Sequence, residues 1–406
     1  MPNPSSLGAV YARALRPYDG PLSAPVLMAE AEAATGLSDW GGEPWAEDGF
    51  RRRLAALCRS LETEARLTAE GRTRAHCRVH ITLCARLRVI DWRRGWTGER
   101  PITAPLIGTG FPRAGTSFLH QLLAQDPDNL SASTAECGIP IPPPGDASVD
   151  AERNALMDRM LDFQGLYRPE VDAVHPFAPD APDEDLAMQE SACGTPFQAF
   201  FDVPGFMAVA AADTDALFDW QKGLMQVLQS GRTGERWVLK TPEHMHNWEA
   251  MYRAFPDARV FLNHRDPGKV IASIASLFVT FRGLNSDTVT PAQHLGPPIL
   301  ERLIATMDKV TAWRAAHPEV KVVDVHYKTL VADPIAEAER VYAEFGLNLT
   351  RKARQRMSDF LKVNRHGHGV AQHRYTLAEF GLTEDAVEAV CGRYIDAFGV
   401  AREKRE

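Results

Sequence analysis

The chain has 406 residues, and 45 Lys and Arg against 53 Asp and Glu give it a formal net charge of −8. Its 45% apolar and 24% charged residues are close to the average of soluble globular proteins, which excludes a mainly disordered chain. The acidic total argues against general nucleic-acid binding, but a small anionic ligand needs only a few local cations. No apolar run of about 18 residues is present, so we expect no integral membrane protein.

The start of the chain and its cysteines indicate a cytoplasmic protein. Residues 1–6 have neither the basic nor the apolar segment of a secretory signal. The six cysteines form no CxxC pair and no regular framework, as expected of reduced, mostly buried thiols.

The pattern of apolar residues changes near residue 100. Before it, Leu54, Leu57 and Leu61 recur at helical spacing, and we expect a helical cap over residues 1–100. Residues 101–406 alternate strands with helices, which predicts an α/β domain with a central parallel sheet of four or five strands. The predicted strands lie within 101–108, 237–239, 258–262 and 320–325, and residues 139–235 are expected to be an insertion of helices and loops.

A glycine turn joins the first predicted strand to the next helix. It consists of Gly110, Phe111, Pro112, Arg113, Ala114, Gly115, Thr116 and Ser117. A turn of this kind directs backbone N–H groups and a helix N-terminus at one point, which suits phosphate or sulfate. A kinase-type P-loop would have a lysine before Thr116, whereas the cation here is Arg113.

Over Pro112–Thr116 this turn resembles the PxxGT loop of the PAPS-dependent sulfotransferases, in particular their bacterial branch. PAPS is 3′-phosphoadenosine 5′-phosphosulfate. The resemblance implies a P-loop-like fold and a cofactor loop in which Arg113 stands where many cytosolic members have lysine. The residues implied to bind the 5′-phosphosulfate are Gly110, Pro112, Arg113, Ala114, Gly115, Thr116 and Ser117.

A second anion site is expected after the strand near residue 262. Arg265 ends that strand, and Ser273 follows eight residues later in the next helix. A strand-end guanidinium and a serine in the first turns of a helix can converge on one phosphate. The resemblance assigns this pair to the 3′-phosphate of the cofactor.

The third motif surrounds Lys240, which ends a buried strand. The resemblance implies that Lys240 lies near the bridging oxygen and stabilises the transition state. Two residues remain alternatives for the base that takes the acceptor proton, Glu136 and His244. A histidine titrates near neutral pH, whereas a glutamate needs a pKa raised by burial.

The last third of the chain adds weaker cofactor candidates. The resemblance implies that Tyr327 contacts adenine, and that Lys362 and Arg365 belong to a basic segment that closes on the 3′-phosphate. His366 and His368 have no further ligands at fixed spacing, so we expect no metal.

Taken together, these motifs imply transfer of a sulfuryl group from PAPS, with PAP as product, to a hydroxyl of a small, lipophilic or phenolic acceptor. An ATP-dependent phosphotransferase of P-loop type and a catalytically inactive nucleotide-binding protein are the alternatives. Dependence on magnesium would separate the first alternative from a sulfotransferase. A homo-oligomer is compatible with the sequence.

Overall fold

The computed structural model describes residues 6–42, 45, 47–98, 100–288, 290–364 and 376–403. Contacts group the chain into two compact units. The first consists of Met1–Ile102, Ala132–Thr233 and Thr280–Val289, and the second of Thr103–Ser131, Gly234–Val279 and Thr290–Glu406.

A parallel sheet lies in the second unit. Its strands among the described residues are β1 (Leu106–Gly110), β2 (Asn129–Leu130), β3 (Arg236–Lys240), β4 (Arg259–His264) and β5 (Val322–His326). The order is β2-β3-β1-β4-β5, and every neighbouring pair is parallel. The predicted α/β class with four or five parallel strands is therefore confirmed.

The register of the sheet brings the predicted motifs to one edge. Gly108 of β1 pairs with Lys240 at the end of β3, and Gly110 pairs with Asn263 near the end of β4. Ligands of open parallel sheets bind outside the carboxyl ends of the strands. The glycine turn begins at the last residue of β1, Lys240 is the last residue of β3, and Arg265 directly follows β4.

Helices make up much of the remaining described chain. The α-helices are, in chain order, α1 (Leu7–Tyr11), α2 (Ala24–Thr35), α3 (Glu47–Thr63), α4 (Ala69–Arg94), α5 (Thr116–Leu123), α6 (Thr134–Gly138), α7 (Ala147–Phe163), α8 (Pro169–Asp172), α9 (Phe197–Phe200), α10 (Pro204–Ala211), α11 (Thr214–Leu228), α12 (Trp248–Ala254), α13 (Pro267–Gly283), α14 (Gly296–Ala316), α15 (Tyr327–Ala332), α16 (Pro334–Glu344), α17 (Arg351–Val363) and α18 (Glu384–Phe398). Short 3₁₀ helices span Ala12–Leu15, Asp185–Ala192, Pro242–His246, Ala292–His294 and Ala378–Phe380.

The core of the second unit holds the sheet against its helices. Leu106, Val238 and Phe261 of the sheet pack with Leu122 of α5 and Val341 of α16, and all five side chains are buried. β1 is buried at every position, as expected of a strand covered on both faces.

The first unit is helical in its described residues. α4 has 26 residues, and Thr68 caps its N-terminus by accepting a hydrogen bond from the Gly71 amide at 2.9 Å. None of the helices in the described part of the chain is long and apolar enough to cross a membrane. The six cysteines are buried free thiols.

Candidate active site

The turn between β1 and α5 has a backbone that only certain residues adopt readily. Gly110 has a φ of +137°, and a Cβ there would lie 2.5 Å from the Asn263 carbonyl oxygen. Gly115 has a φ of +82° and is the N-cap of α5. Arg113 also takes a positive φ, +68°, without being a glycine. Such backbone strain concentrates at functional sites.

The N-terminus of α5 is directed at the same turn. The first amides of a helix have no intrahelical acceptor, and Gly115 has no side chain with which to cap them. Thr116 and Ser117 open the helix, and Ser117 is exposed. The first turn of α5 therefore offers amide and hydroxyl donors to an anion.

Asn263 fixes the turn from β4. This buried side chain donates from Nδ2 to the Ala114 carbonyl at 3.2 Å. Asn263 was not among the residues predicted from the sequence. An amide residue at the end of an otherwise apolar buried strand is the signal that could have identified it.

Lys240 lies where the sequence predicts it, at the end of β3. Its side chain is 2% exposed, and its Nζ donates to Ser117 Oγ at 3.0 Å. The ammonium group therefore reaches the N-terminus of α5. The buried Thr109 hydroxyl adds a link between the ends of β1 and β3 by donating to the Thr241 carbonyl at 2.9 Å.

Arg265 brings the second motif to the same turn. Its Nη1 donates to the Arg113 carbonyl oxygen at 2.8 Å, and its guanidinium carbon lies 3.8 Å from the centre of the Tyr327 ring. The structure thus groups three predicted cofactor residues. Ser273 is buried on α13, the helix that begins two residues after Arg265.

A carboxylate occupies the outer edge of Arg265. Glu403 accepts hydrogen bonds from Arg265 Nε at 2.6 Å and from Nη2 at 2.9 Å. The Glu403 amide donates to Asp266 Oδ2 at 2.8 Å, which fixes the backbone of this residue. The paired geometry is the one a guanidinium uses for carboxylate or phosphate. No sequence pattern pointed to Glu403.

His264 anchors the end of β4 just before Arg265. Its Nε2 bonds Asp324 Oδ1 at 2.8 Å and its Nδ1 bonds the Tyr394 hydroxyl at 2.6 Å, while Arg314 donates to both oxygens of Asp324. Burial lowers the pKa of His264, against the opposing effect of Asp324. Burial would raise the pKa of Asp324, but His264 and Arg314 outweigh it and lower that pKa to about 2.

The two base candidates lie in different units. His244 is 1% exposed in the 3₁₀ helix Pro242–His246, directly after β3 in the second unit. Glu136 belongs to the first unit, in α6. Its Oε2 accepts from the Ser133 amide at 2.9 Å in a capping box, and its Oε1 pairs with Arg232. Both oxygens of Glu136 are therefore engaged.

Two further predicted residues are not brought to the turn by any contact described. Lys362 is exposed in the last turn of α17, where its Nζ donates to Asp359 Oδ1 at 2.7 Å. Arg365 lies outside the described residues.

Comparisons with known proteins agree on one family. A model of the sulfotransferase family matches residues 105–351. Two curated mycobacterial proteins, from Mycobacterium bovis and Mycobacterium tuberculosis, are named omega-hydroxy-beta-dihydromenaquinone-9 sulfotransferase Stf3. Each is 21% identical to this chain over 312 residues, which cover 74% of the chain and 76% of the relative.

Solved structures show the same likeness. Sulfotransferase STF9 from Mycobacterium avium has a TM-score of 0.81 and 26% identity, over 96% of this chain and 100% of that one. Sulfotransferase STF1 from Mycobacterium tuberculosis H37Rv has a TM-score of 0.76 and 26% identity, over 92% of this chain and 98% of that one. These neighbours have the P-loop-like fold that the sequence motifs imply, which confirms that expectation.

Proposed function

Because this chain belongs to the sulfotransferase family, we propose that it transfers a sulfuryl group from PAPS to a hydroxyl of a small acceptor. The observation that carries this proposal is the convergence of three cationic or anion-binding elements at one edge of the sheet. The N-terminus of α5 meets Lys240 through Ser117, and Arg265 meets the backbone of Arg113.

The arrangement suits a cofactor with two separate anionic groups. The turn Gly110–Gly115 and the hydroxyls of Thr116 and Ser117 would receive the 5′-phosphosulfate. Arg265 and Ser273 would receive the 3′-phosphate, and Tyr327, against Arg265, would pack on the adenine. Lys362 and Arg365 would close on the 3′-phosphate from the segment after α17.

The reaction would be an in-line displacement at sulfur. The acceptor oxygen forms a bond to sulfur while the bond from sulfur to the 5′-phosphate oxygen breaks, and that oxygen keeps the electron pair as PAP leaves. Arg113 and Lys240 would stabilise the charge that develops on the leaving oxygen and the sulfuryl group. Catalysis of this kind rests on positioning and electrostatics, as in phosphoryl transfer. The proposed mechanism uses fixed cations and no metal.

The acceptor proton would go to Glu136 or His244. His244 directly follows the strand that carries Lys240. Proton uptake by Glu136 would compete with its ion pair to Arg232 and with the Ser133 amide. Glu136→Gln and His244→Gln variants separate the two roles. Loss of the base lowers kcat and removes one limb of the pH–rate profile, whereas loss of a positioning residue leaves that limb in place.

For the acceptor we propose a lipophilic alcohol or phenol. The support is the substrate named for the mycobacterial relatives, a hydroxylated menaquinone derivative. A screen with labelled PAPS would compare a long isoprenoid alcohol, a simple phenol and a sugar. Transfer to the sugar alone would contradict this acceptor class.

Cofactor identity is tested by thermal shift with PAP, ADP and ATP, each with and without magnesium. We expect PAP to raise Tm without magnesium and to do so more than ADP or ATP at equal concentration. Arg265→Ala should remove most of the preference for PAP, while the exposed Arg356→Ala serves as the matched control. No stabilisation by millimolar PAP, or stabilisation by ATP only with magnesium, would overturn the proposal.

A further inference from the structure

Two histidines and a glutamate meet in the first unit, on helices to which the proposed sulfuryl transfer assigns no role. His76 and His80 lie one turn apart on α4, and residues at this spacing share one face of a helix. Glu30 reaches them from α2. One donor atom from each of the three side chains lies within 4.8 Å of the other two.

Both imidazoles are enclosed by protein. His76 is 0% exposed and His80 is 1% exposed. The Tyr18 ring stacks on His76 with the ring centres 3.9 Å apart and an angle of 11° between the planes. His76 Nε2 lies 2.7 Å from Glu30 Oε2, and His80 Nε2 lies 3.5 Å from the Cys84 sulfur.

These contacts leave a donor atom of the cluster unused. The Nδ1 atom of His76 is buried and has no hydrogen-bond partner among the described residues, whereas the His80 ring lies beside the backbone of Val10. A buried polar atom without a partner destabilises the folded state, so such an atom in a folded protein requires an explanation. A ligand that accepts imidazole lone pairs would supply one.

Glu30 also has a partner outside the cluster. Arg13 contacts its Oε1 at 3.4 Å, while Oε2 is the atom that faces His76. Imidazole nitrogens and carboxylate oxygens are ligand atoms that zinc takes in proteins.

We propose that Glu30, His76 and His80 bind a divalent transition-metal ion of the zinc class. Two imidazole nitrogens and one carboxylate oxygen are a known zinc ligand set, in which water or a further donor completes the coordination. Because the ligands come from α2 and α4, the ion would link these two helices. The role is stabilisation of the first unit, and sulfuryl transfer does not depend on it.

Metal content of the purified, untagged full chain tests this proposal. The protein is incubated with zinc, passed through gel filtration in metal-free buffer and analysed by mass spectrometry. We expect about one zinc ion per chain, and removal of the ion by a chelator should lower Tm by a few degrees. Cobalt substituted for zinc should give visible absorption bands typical of nitrogen and oxygen ligands in a site of low coordination number.

Variants separate the site from unspecific binding. His80→Gln and Glu30→Gln should each remove the zinc and the chelator effect on Tm, whereas the exposed His294→Gln should retain both. Circular dichroism confirms that each variant is folded. If His80→Gln does not fold, the zinc content and chelator response of Glu30→Gln alone test the proposal. Zinc far below one equivalent in the unaltered protein, or equal zinc in the unaltered protein and Glu30→Gln, would overturn the proposal.

Discussion

At the scale of single residues, the pair between Arg265 and Glu403 has a direct consequence for cofactor binding. The carboxylate bonds both Nε and Nη2 of the guanidinium that we assign to the 3′-phosphate. A phosphate and this carboxylate need the same donors, so binding of one requires release of the other.

Glu403→Gln should therefore bind PAP more tightly than the unaltered protein. Removal of the competing charge is worth about 1 kcal/mol at a partly exposed pair, or roughly a fivefold lower Kd. Calorimetric titration with PAP measures the Kd. The KM for PAPS should also fall, with little change in kcat. Glu388→Gln, which removes a carboxylate from the exposed pair with Arg402, is the control. Weaker PAP binding by Glu403→Gln would contradict the competition.

Lys240→Met should lower kcat far more than it lowers cofactor affinity. Lys240 is 2% exposed and its ammonium group contacts Ser117 at the start of α5, and removal of one such charge stabiliser costs on the order of 10²–10³ in rate. Rates with saturating PAPS measure kcat, and PAP titration measures binding. The exposed Lys352→Met is the matched control. A kcat within about threefold of the unaltered enzyme would contradict the assignment.

The residues of the candidate site were predictable to different degrees. Gly110, Gly115 and Lys240 follow recognisable strand ends, so their placement could be predicted from the local sequence. Asn263 carries a local signal, an amide at the end of an apolar strand, but its contact with Ala114 joins residues 149 positions apart. Glu403 acts through a contact with Arg265, 138 residues earlier, which leaves no local pattern in the sequence.

At the scale of elements, the turn between β1 and α5 depends on the backbone of Gly115. With a φ of +82° and Leu330 Cδ2 at 2.9 Å from where a Cβ would be, Gly115→Ala is strained and crowded. We expect a loss of about 1–3 kcal/mol in unfolding free energy and weaker PAP binding. Denaturant unfolding and PAP titration measure both effects.

Gly392→Ala is the control for this substitution. Gly392 lies inside α18, where an added Cβ meets nothing within 4 Å, so alanine should leave stability unchanged or slightly improved. Equal stability and equal PAP affinity of the Gly115→Ala variant and the unaltered protein would show that the turn does not require glycine.

The network around Asp324 ties β4 and β5 to α14. Its lowered pKa, about 2 against about 4 in an unfolded chain, means that the folded state favours the carboxylate. The contribution of the ionised carboxylate to the free energy of unfolding is complete above about pH 5 and is lost as the pH falls towards 2. The unfolding free energy of Asp324→Asn should therefore be about 1–2 kcal/mol lower near pH 7. The effect is no larger because the side chain is partly exposed and solvent screens its charge.

Urea unfolding between pH 7 and pH 3 tests this expectation. The difference between Asp324→Asn and the unaltered protein should shrink as the pH falls below about 4. The exposed Asp308→Asn on α14 should show no such difference. A difference that stays constant from pH 7 to pH 3 would exclude ionisation of Asp324 as its source.

Most elements of the sheet could be predicted from apolar runs and proline or glycine boundaries. β1, β3, β4 and β5 overlap their predicted places, because each contains a short run with aliphatic residues whose side chains are buried, although in β5 only alternate positions are buried. β2 was not predicted, since Asn129 and Leu130 are too few to form a pattern. Its place at the edge of the sheet depends on pairing with β3.

At the scale of the whole molecule, the net charge of −8 excluded nucleic acid as an expected partner but did not describe the candidate site. Arg113, Lys240 and Arg265 are three local cations at the end of one sheet, and the rest of the chain supplies the acidic excess. The net charge of the chain and the local charge at a site are separate properties. The three cations come together because the order of the strands places their positions side by side.

The grouping of the chain into two units was harder to predict. Residues 1–102 join residues 132–233 and 280–289 in the first unit. The boundaries predicted from composition, a cap over 1–100 and an insertion over 139–235, treat these stretches as separate. Local composition marks where a pattern changes, but it carries no information on which distant segments pack together.

The central position of β1 also determines the order in which the protein can fold during its synthesis. β1 ends at Gly110, but β3 begins only at Arg236 and β4 at Arg259. At about 5–20 residues per second, the ribosome needs on the order of ten seconds to make the intervening chain. During that time β1 has no neighbouring strand to pair with, and by its end nearly all of the first unit has been made.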